Sequence, residues 1–338
     1  MSGAATAAIE LNDAELRVVT PAGVVATEPG YAILDGDELI VGNEAYGEAS
    51  LKPRQVHNRF WADLDQRPIR GGSLSNADLA YTQLSRLWEL IADHVKDVVF
   101  VVPASFRREQ LALLLGIAKA CEIPVRGLVD AGVASCTRAR PGARLLHWDV
   151  GLHAAVLSDL SQGEGISHAS FETIDQHGLM SLREGWVSCI GHAFIAQTRF
   201  DPLHDAKSEQ ALYDGLSGFL ATLGERDTAP VQIEHRNVSR GAQIRRSDLI
   251  RTAADLYRTL IVRAGLGADP DTPVVAHASH RLADLPGFMD AMSGVEPLEV
   301  VRLAPEAPCM GALERLEQIP RPGRGHKLVQ QLRWSRAT

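Results

Sequence analysis

Cysteine is scarce in this chain. Cys121, Cys136, Cys189 and Cys309 are far apart and none belongs to a C-x-x-C pair, which argues against a zinc ribbon or a dithiol redox centre. Cys121 and Cys136 lie in apolar runs and read as small buried hydrophobes. No apolar run reaches the ~18 residues of a membrane span. The N-terminus lacks a charged segment followed by a hydrophobic one. Together these absences give the expectation of a reduced, cytoplasmic protein with no membrane partner. A positive surplus is missing too. Lys and Arg number 34 against 42 Asp and Glu, a formal charge of −8. Nucleic acid is therefore not an expected partner, despite Arg107 and Arg108, Arg245 and Arg246, and the run Arg321 to Lys327. What is present is 338 residues, 45% apolar and 22% charged, enough for one large or two medium globular domains.

The stretch from Asp97 to Cys136 carries the clearest pattern. Val98 to Val102 is a short β-branched run of the kind found in a strand buried on both faces, and Pro103 ends it. Arg107 to Cys121 switches to helical spacing, with Leu111, Leu114, Leu115, Ala118 and Cys121 on one face. Ile123 to Val129 is a second apolar run, and Gly132 to Thr137 opens a second helix. Strand, helix, strand, helix with tight joints predicts a parallel sheet covered by helices, with ligands expected at the C-terminal strand edge, where Asp130 stands.

Before that stretch, Ala7 to Leu11 and Leu16 to Thr20 predict a hairpin, and Gly23 to Thr27 a third strand. Tyr31 to Leu34 and Glu38 to Val41 flank the turn Asp35, Gly36, Asp37. A helix is predicted over Asp78 to Val95, with Leu79, Leu84, Leu87, Leu90 and Val95 facing inward. After it come strands over Arg144 to Trp148, Ala154 to Leu160 and Ser170 to Asp175. Residues 178–224 read as a helical insert, Val231 to Asn237 as a strand and Ser247 to Gly265 as an amphipathic helix. Pro273 to Ala276 and Leu298 to Leu303 predict strands, Arg281 to Met292 one helix across Pro286, and Pro308 to Leu316 another. The tail from Ile319, with Trp334, reads as a docking segment, as a segment packed on the body or as a disordered one.

The order of motifs resembles the nucleotide-binding domain of the heat-shock protein 70 (DnaK) chaperones, in the actin-like ATPase superfamily. VVPASF, a helix, and LVDAGVAS are similar to the family's VPA-x-F, helix, and NEPTAAA. LIVGNEAYGEASLKPRQVHNRFW resembles the segment after its first hairpins, and LLHWDVGLHAAVL its second phosphate loop, D-L-G-G-G-T. IRRSDLIRTAADLY, VVAHASHRL and APEAPCMGALE resemble its adenosine-pocket helix, its V-G-G-S-T-R-I and its closing P-D-E-A-V-A-x-G-A. The resemblance covers roughly residues 7 to 317, and the family's peptide-binding domain has no counterpart. It implies an α/β, two-lobed actin-like (ribonuclease-H-like) fold, each lobe a mixed sheet flanked by helices. Lobe I would be residues 1–140, lobe II 141–318 with the helical insert, and the tail 319–338.

The same resemblance implies ATP and Mg2+ as cofactors, gripped by two glycine-rich loops with acids holding the metal. The first loop is altered. In IELNDAEL, Glu10 replaces an Asp, Asn12 the Gly, Asp13 and Ala14 two Thr, and Glu15 adds another acid. Carboxylates facing a triphosphate in a partly dry cleft repel it. The second loop keeps Asp149 and Gly151 but carries Leu152, His153 and Ala154. The implied catalytic residues are Asp130, Asp149 and Arg59, the last standing for a Lys with which Arg is not interchangeable. The implied cofactor-binding residues are Glu10, Asn12, Gly151, His153, Ser279, Arg281 and Gly311. Asp130 and Asp149 either order water and metal or cap helices and turns. His153 either meets a phosphate or occludes the cleft, and Arg281 either stacks on adenine or is an ordinary arginine. His277 and His280 alone do not make a metal site. The favoured expectation is a divergent nucleotide-binding protein with weak or no hydrolysis, acting as a chaperone-like switch on an unidentified protein client. A pseudo-ATPase scaffold and a metabolite kinase of the same superfamily are the alternatives.

Overall fold

A computed structural model describes residues 5–36, 38–69, 73–224, 226–266, 272–321 and 327–335. Asp37 and most of the basic run from Arg321 to Lys327 lie outside the described residues. The first half runs β1 (Ala5–Glu10), β2 (Leu16–Thr20), β3 (Gly23–Glu28), β4 (Ala32–Asp35), β5 (Glu38–Val41), α1 (Asn43–Gly47), β6 (Val56–His57), α2 (Asn76–Glu89), β7 (Val95–Val102), α3 (Arg108–Ala120), β8 (Val125–Asp130) and α4 (Ala131–Ser135). The second runs β9 (Arg144–Val150), β10 (Ala154–Gln162), β11 (Gly165–Asp175), α5 (Leu179–Thr198), α6 (Ala206–Gly224), β12 (Thr228–His235), β13 (Val238–Arg245), α7 (Arg246–Arg263), β14 (Val274–Ala278), α8 (His280–Ala283), α9 (Phe288–Ser293), β15 (Leu298–Arg302) and α10 (Ala307–Glu314). The tail adds β16 (Leu328–Val329) and β17 (Gln331–Arg333).

The architecture is mixed α/β, with two six-stranded mixed sheets flanked by helices. Their strand orders are β16-β8-β7-β1-β2-β3 and β15-β14-β9-β10-β11-β17. Without the tail strands the two orders are the same. An antiparallel meander (β1–β2–β3, β9–β10–β11) has two parallel strands added beside its first member (β7 and β8, β14 and β15). Val98 to Val102 are all buried because β7 lies between β1 and β8 and carries helices or the other sheet on both faces. The layer between the sheets joins Val99 and Val101 to Leu145, Leu160 and Val275, with Val133, Ala134, Cys309 and Ala312 of α4 and α10 packed into it.

Several predicted elements differ in extent. The helix expected over Asp78 to Val95 begins at a capping box, where Ser75 and Asp78 bond each other's backbone amides, and stops at Glu89. Leu90 is 50% exposed, and Val95 instead heads β7, opposite Ala5. The helix expected across Pro286 is two short ones, α8 and α9, because Pro286 cannot continue the backbone ladder and Gly287 takes a positive φ of 72°. β13 is unanticipated. It pairs with β12 through a turn at Arg236 and Asn237, both at positive φ, without the glycine that signals such a turn.

The tail packs on the body. β16 adds to β8 in parallel and β17 to β11 antiparallel, so one short segment extends both sheets. Trp334 donates its indole N–H to the Gly163 carbonyl. Leu332 is 1% exposed. Leu332→Ala is expected to cost roughly 2–5 kcal/mol in urea unfolding; a change under about 0.5 kcal/mol would place this strand outside the cooperative core.

Candidate functional site

The site forms where β1, β9 and β14 end. Side chains alternate across a strand, so Leu145, His147 and Asp149 of β9 share one face and Leu146, Trp148 and Val150 the other. The first set faces the layer between the sheets and changes from apolar to polar toward the strand end. Val275 and His277 on β14 follow the same rule, as do Leu160 and Ser158 on β10. The result is a polar floor above an apolar layer.

Arg281 is the centre of this floor. It stands on α8, just after β14, and is 7% exposed. Its guanidinium donates to Asp149 from Nε and Nη2 at 3.2 and 2.9 Å, to Glu10 from Nη2 and to Glu15 from Nη1 at 3.4 Å. Glu15 also pairs with Arg17 at 2.6 Å and meets His280 at 2.7 Å. Burial alone would raise the carboxyl pKa values, but the surrounding cations win. The Glu15 carboxyl is held at about 2 by the His280 hydrogen bond and the Arg281 and Arg17 charges. Asp149 lies well below the usual carboxylate range, chiefly through Arg281.

The loops after β1 and β9 bond directly to each other. Asn12 donates Nδ2–H to Asp149 Oδ2 at 3.0 Å and to the Val150 carbonyl at 3.3 Å. Asp13 Oδ1 accepts the Leu152 amide at 2.8 Å. Gly151 leaves room for that contact, since a Cβ there would come within 2.2 Å of Asp13 Oδ1. Burial pushes the Asp13 carboxyl above its ordinary value, with the Leu152 amide pulling the other way. A second closure lies farther out. Tyr31, Ile33 and Ala45 from the first half share one apolar core with Trp148, Trp186 and Phe194 from the second. Ser50 donates its amide to Gln210 Oε1 at 2.8 Å, and Gln210 donates to the Tyr46 carbonyl at 3.2 Å.

These contacts test the residue set that the resemblance implies. Glu10, Asn12, Asp149, Gly151 and Arg281 come together. Glu10, in the place of the first loop's acid, and Asp149 of the second loop are already matched by Arg281, and Asp13 occupies the Leu152 amide of that second loop. The residues do not fit a magnesium–triphosphate complex. Arg281 lies clasped among carboxylates, with no face turned to a base. Asp130 is fully buried, caps α4 by accepting the Val133 amide at 2.9 Å, and leaves Oδ2 3.5 Å from His168 Nδ1. Gly311 serves helix packing, since a Cβ there would meet the Ala134 carbonyl. Ser279 starts α8 and donates its amide to the Trp148 carbonyl. His277 faces Cys136 Sγ at 3.1 Å while His280 faces Glu15, so the two do not act together. Among the described residues no group of three or more His, Cys, Asp or Glu is placed to hold a metal ion, and no helix is long and apolar enough to cross a membrane.

A cleft of about 760 Å3 opens beside the joined loops. Arg59 lies on its rim, paired to Asp63 at 2.7 Å, and His153 lines it with Nε2 2.9 Å from the Asn58 carbonyl. Most of the lining residues, His147 and Ser158 among them, have no counterpart in the sequence-derived set. The period of two that links His147 to Asp149 was the available signal for the first. No family model matches the chain and no curated protein matches it.

Proposed function

We propose that the chain is a two-lobed, heat-shock-70-like pseudo-ATPase: a protein whose nucleotide cleft is held shut by its own side chains, and which serves as a fixed scaffold for a protein partner. The repeated strand order of the two halves supports the two-lobed, actin-like reading of the fold, and the fold alone implies no activity. The observation that carries the proposal is the direct bonding of Asn12 and Asp13 to the loop of Asp149, Val150 and Leu152. A phosphate chain needs those loops apart and their amides free. Here a carboxylate takes the anion's place and Arg281 the cation's. A nucleotide-dependent switch with weak hydrolysis is the second reading, favoured by the open cleft beside the loops. A metabolite kinase needs the same phosphate grip and is disfavoured with it.

Calorimetric titration with ATP, with and without magnesium, is expected to give no binding up to roughly 1 mM, the concentration matching about −4 kcal/mol. Magnesium-dependent binding in the micromolar range would overturn the proposal in favour of the switch.

A further inference from the structure

The open cleft carries polar groups that the ion cluster does not use. His147 on β9 and Ser158 on β10 stand directly opposite each other across the antiparallel pair. They are 4% and 2% exposed, and both line the cleft. Among the described residues neither the imidazole nor the hydroxyl makes a side-chain hydrogen bond, and neither belongs to the fully enclosed unpaired polar atoms, so both open onto the cleft. Polar groups on a cavity wall that the protein itself leaves unpaired are completed by water or by a ligand that displaces it. Burial disfavours the charged ring of His147, so it presents one donor and one acceptor nitrogen. Ser158 adds a hydroxyl that both donates and accepts.

The walls narrow the ligand class. Ser105, Arg107, Asp175 and Glu184 also line the cleft, and the Arg59 charge is matched by Asp63. With Asp149 matched by Arg281, one remaining guanidinium, Arg107, against three carboxyl groups, Asp13, Asp175 and Glu184, gives no positive surplus for a phosphate or another strong anion. Carboxylates as acceptors, a guanidinium as donor and a neutral His–Ser floor are complementary to hydroxyl groups. The volume of about 760 Å3 suits a small molecule.

We infer that this cleft binds a small neutral polyhydroxylated compound of the monosaccharide or polyol class, with His147 and Ser158 bonding neighbouring hydroxyls at its floor. The inference rests on the reading that the adjoining phosphate position is filled by Asp13, which leaves this part of the cleft for a different ligand.

The test is an NMR titration of the full chain with labelled histidine rings, using glucose, ribose and glycerol as neutral probes and inorganic phosphate and magnesium–ATP as anionic ones. At least one neutral probe is expected to shift the His147 ring signals saturably below roughly 10 mM, and the anionic probes to leave them in place. His147→Phe and Ser158→Ala are each expected to weaken that binding about tenfold, the equivalent of about 1.4 kcal/mol. Ser158→Ala removes only a hydroxyl and keeps the test valid if His147→Phe does not fold. No shift with any neutral probe, or saturable shifts with phosphate, would overturn the inference. Binding of magnesium–ATP would instead overturn the pseudo-ATPase reading, so the two failures are separable.

Discussion

Arg281→Met is expected to destabilise the protein by about 3–5 kcal/mol, the cost of removing one member of a buried ion cluster. The wild-type guanidinium serves Glu10, Glu15 and Asp149 at once. Methionine fills much of the volume and leaves the carboxylates of Glu10 and Asp149 buried without their cation. The penalty is therefore electrostatic, and it has a signature that a packing defect lacks. Adding Glu10→Gln and Asp149→Asn to Arg281→Met removes the stranded charges and is expected to restore more than half of the loss. Arg281→Lys is expected to fall between wild type and Arg281→Met, because one ammonium cannot match the planar fork that meets Asp149 through two nitrogens. Urea unfolding of the four proteins decides the matter. If Arg281→Met unfolds within about 1 kcal/mol of wild type, water screens the cluster and the idea of a built-in cation loses its support.

The elements of this fold were legible wherever a local pattern decides them. The β-branched run of β7, the turn-bounded strands of both meanders and the apolar spacing of α3 are properties of neighbouring residues, and their boundaries fall within a few positions. The state of the site was not legible, because it is set by pairs that are remote in the chain. Glu10 and Arg281 are 271 residues apart, and Asn12 and Asp149 are 137 apart. From the sequence, Glu15 looked like one more charge repelling a phosphate. In the fold it is matched by Arg17, His280 and Arg281, and the repulsion becomes an internal ion network. His147 was missed for a related reason. On a strand read only as an apolar run, a histidine two residues before Asp149 draws no attention until β10 sets Ser158 beside it. Pro286 and Gly287 were visible breakers overruled by the apolar residues around them, and there the local chemistry decided the outcome after all.

Lowering the pH from 6.5 to 4 is expected to remove about 3 kcal/mol of stability through His277 alone. Its ring is buried on β14, and burial, aided by the Arg140 charge and by repulsion from His147 whenever that ring protonates, lowers its pKa from 6.5 to about 4. In the unfolded chain the ring takes up a proton near pH 6.5, while in the folded protein it stays neutral down to about 4. The unfolded state therefore binds more protons across that window, and stability falls as the pH falls. His147 is shifted in the same direction by burial and adds to the slope. Below about pH 4.5 a second loss begins, as Glu15, held at about 2, and Asp149, held lower still, come to favour protons in the unfolded chain. Asp13 acts in the opposite sense, since its raised carboxyl takes up a proton in the folded state first. Its contribution opposes the losses as the pH falls, so the histidine limb is isolated by comparing wild type with a variant that lacks the His277 ring. Urea midpoints measured from pH 8 to pH 4 are thus expected to fall further below about 6.5 in wild type than in a variant without this ring. His277→Gln, which cannot titrate, is expected to flatten that limb. Equal slopes for the two proteins would mean that the ring facing Cys136 is protonated in the folded state as readily as in the unfolded chain.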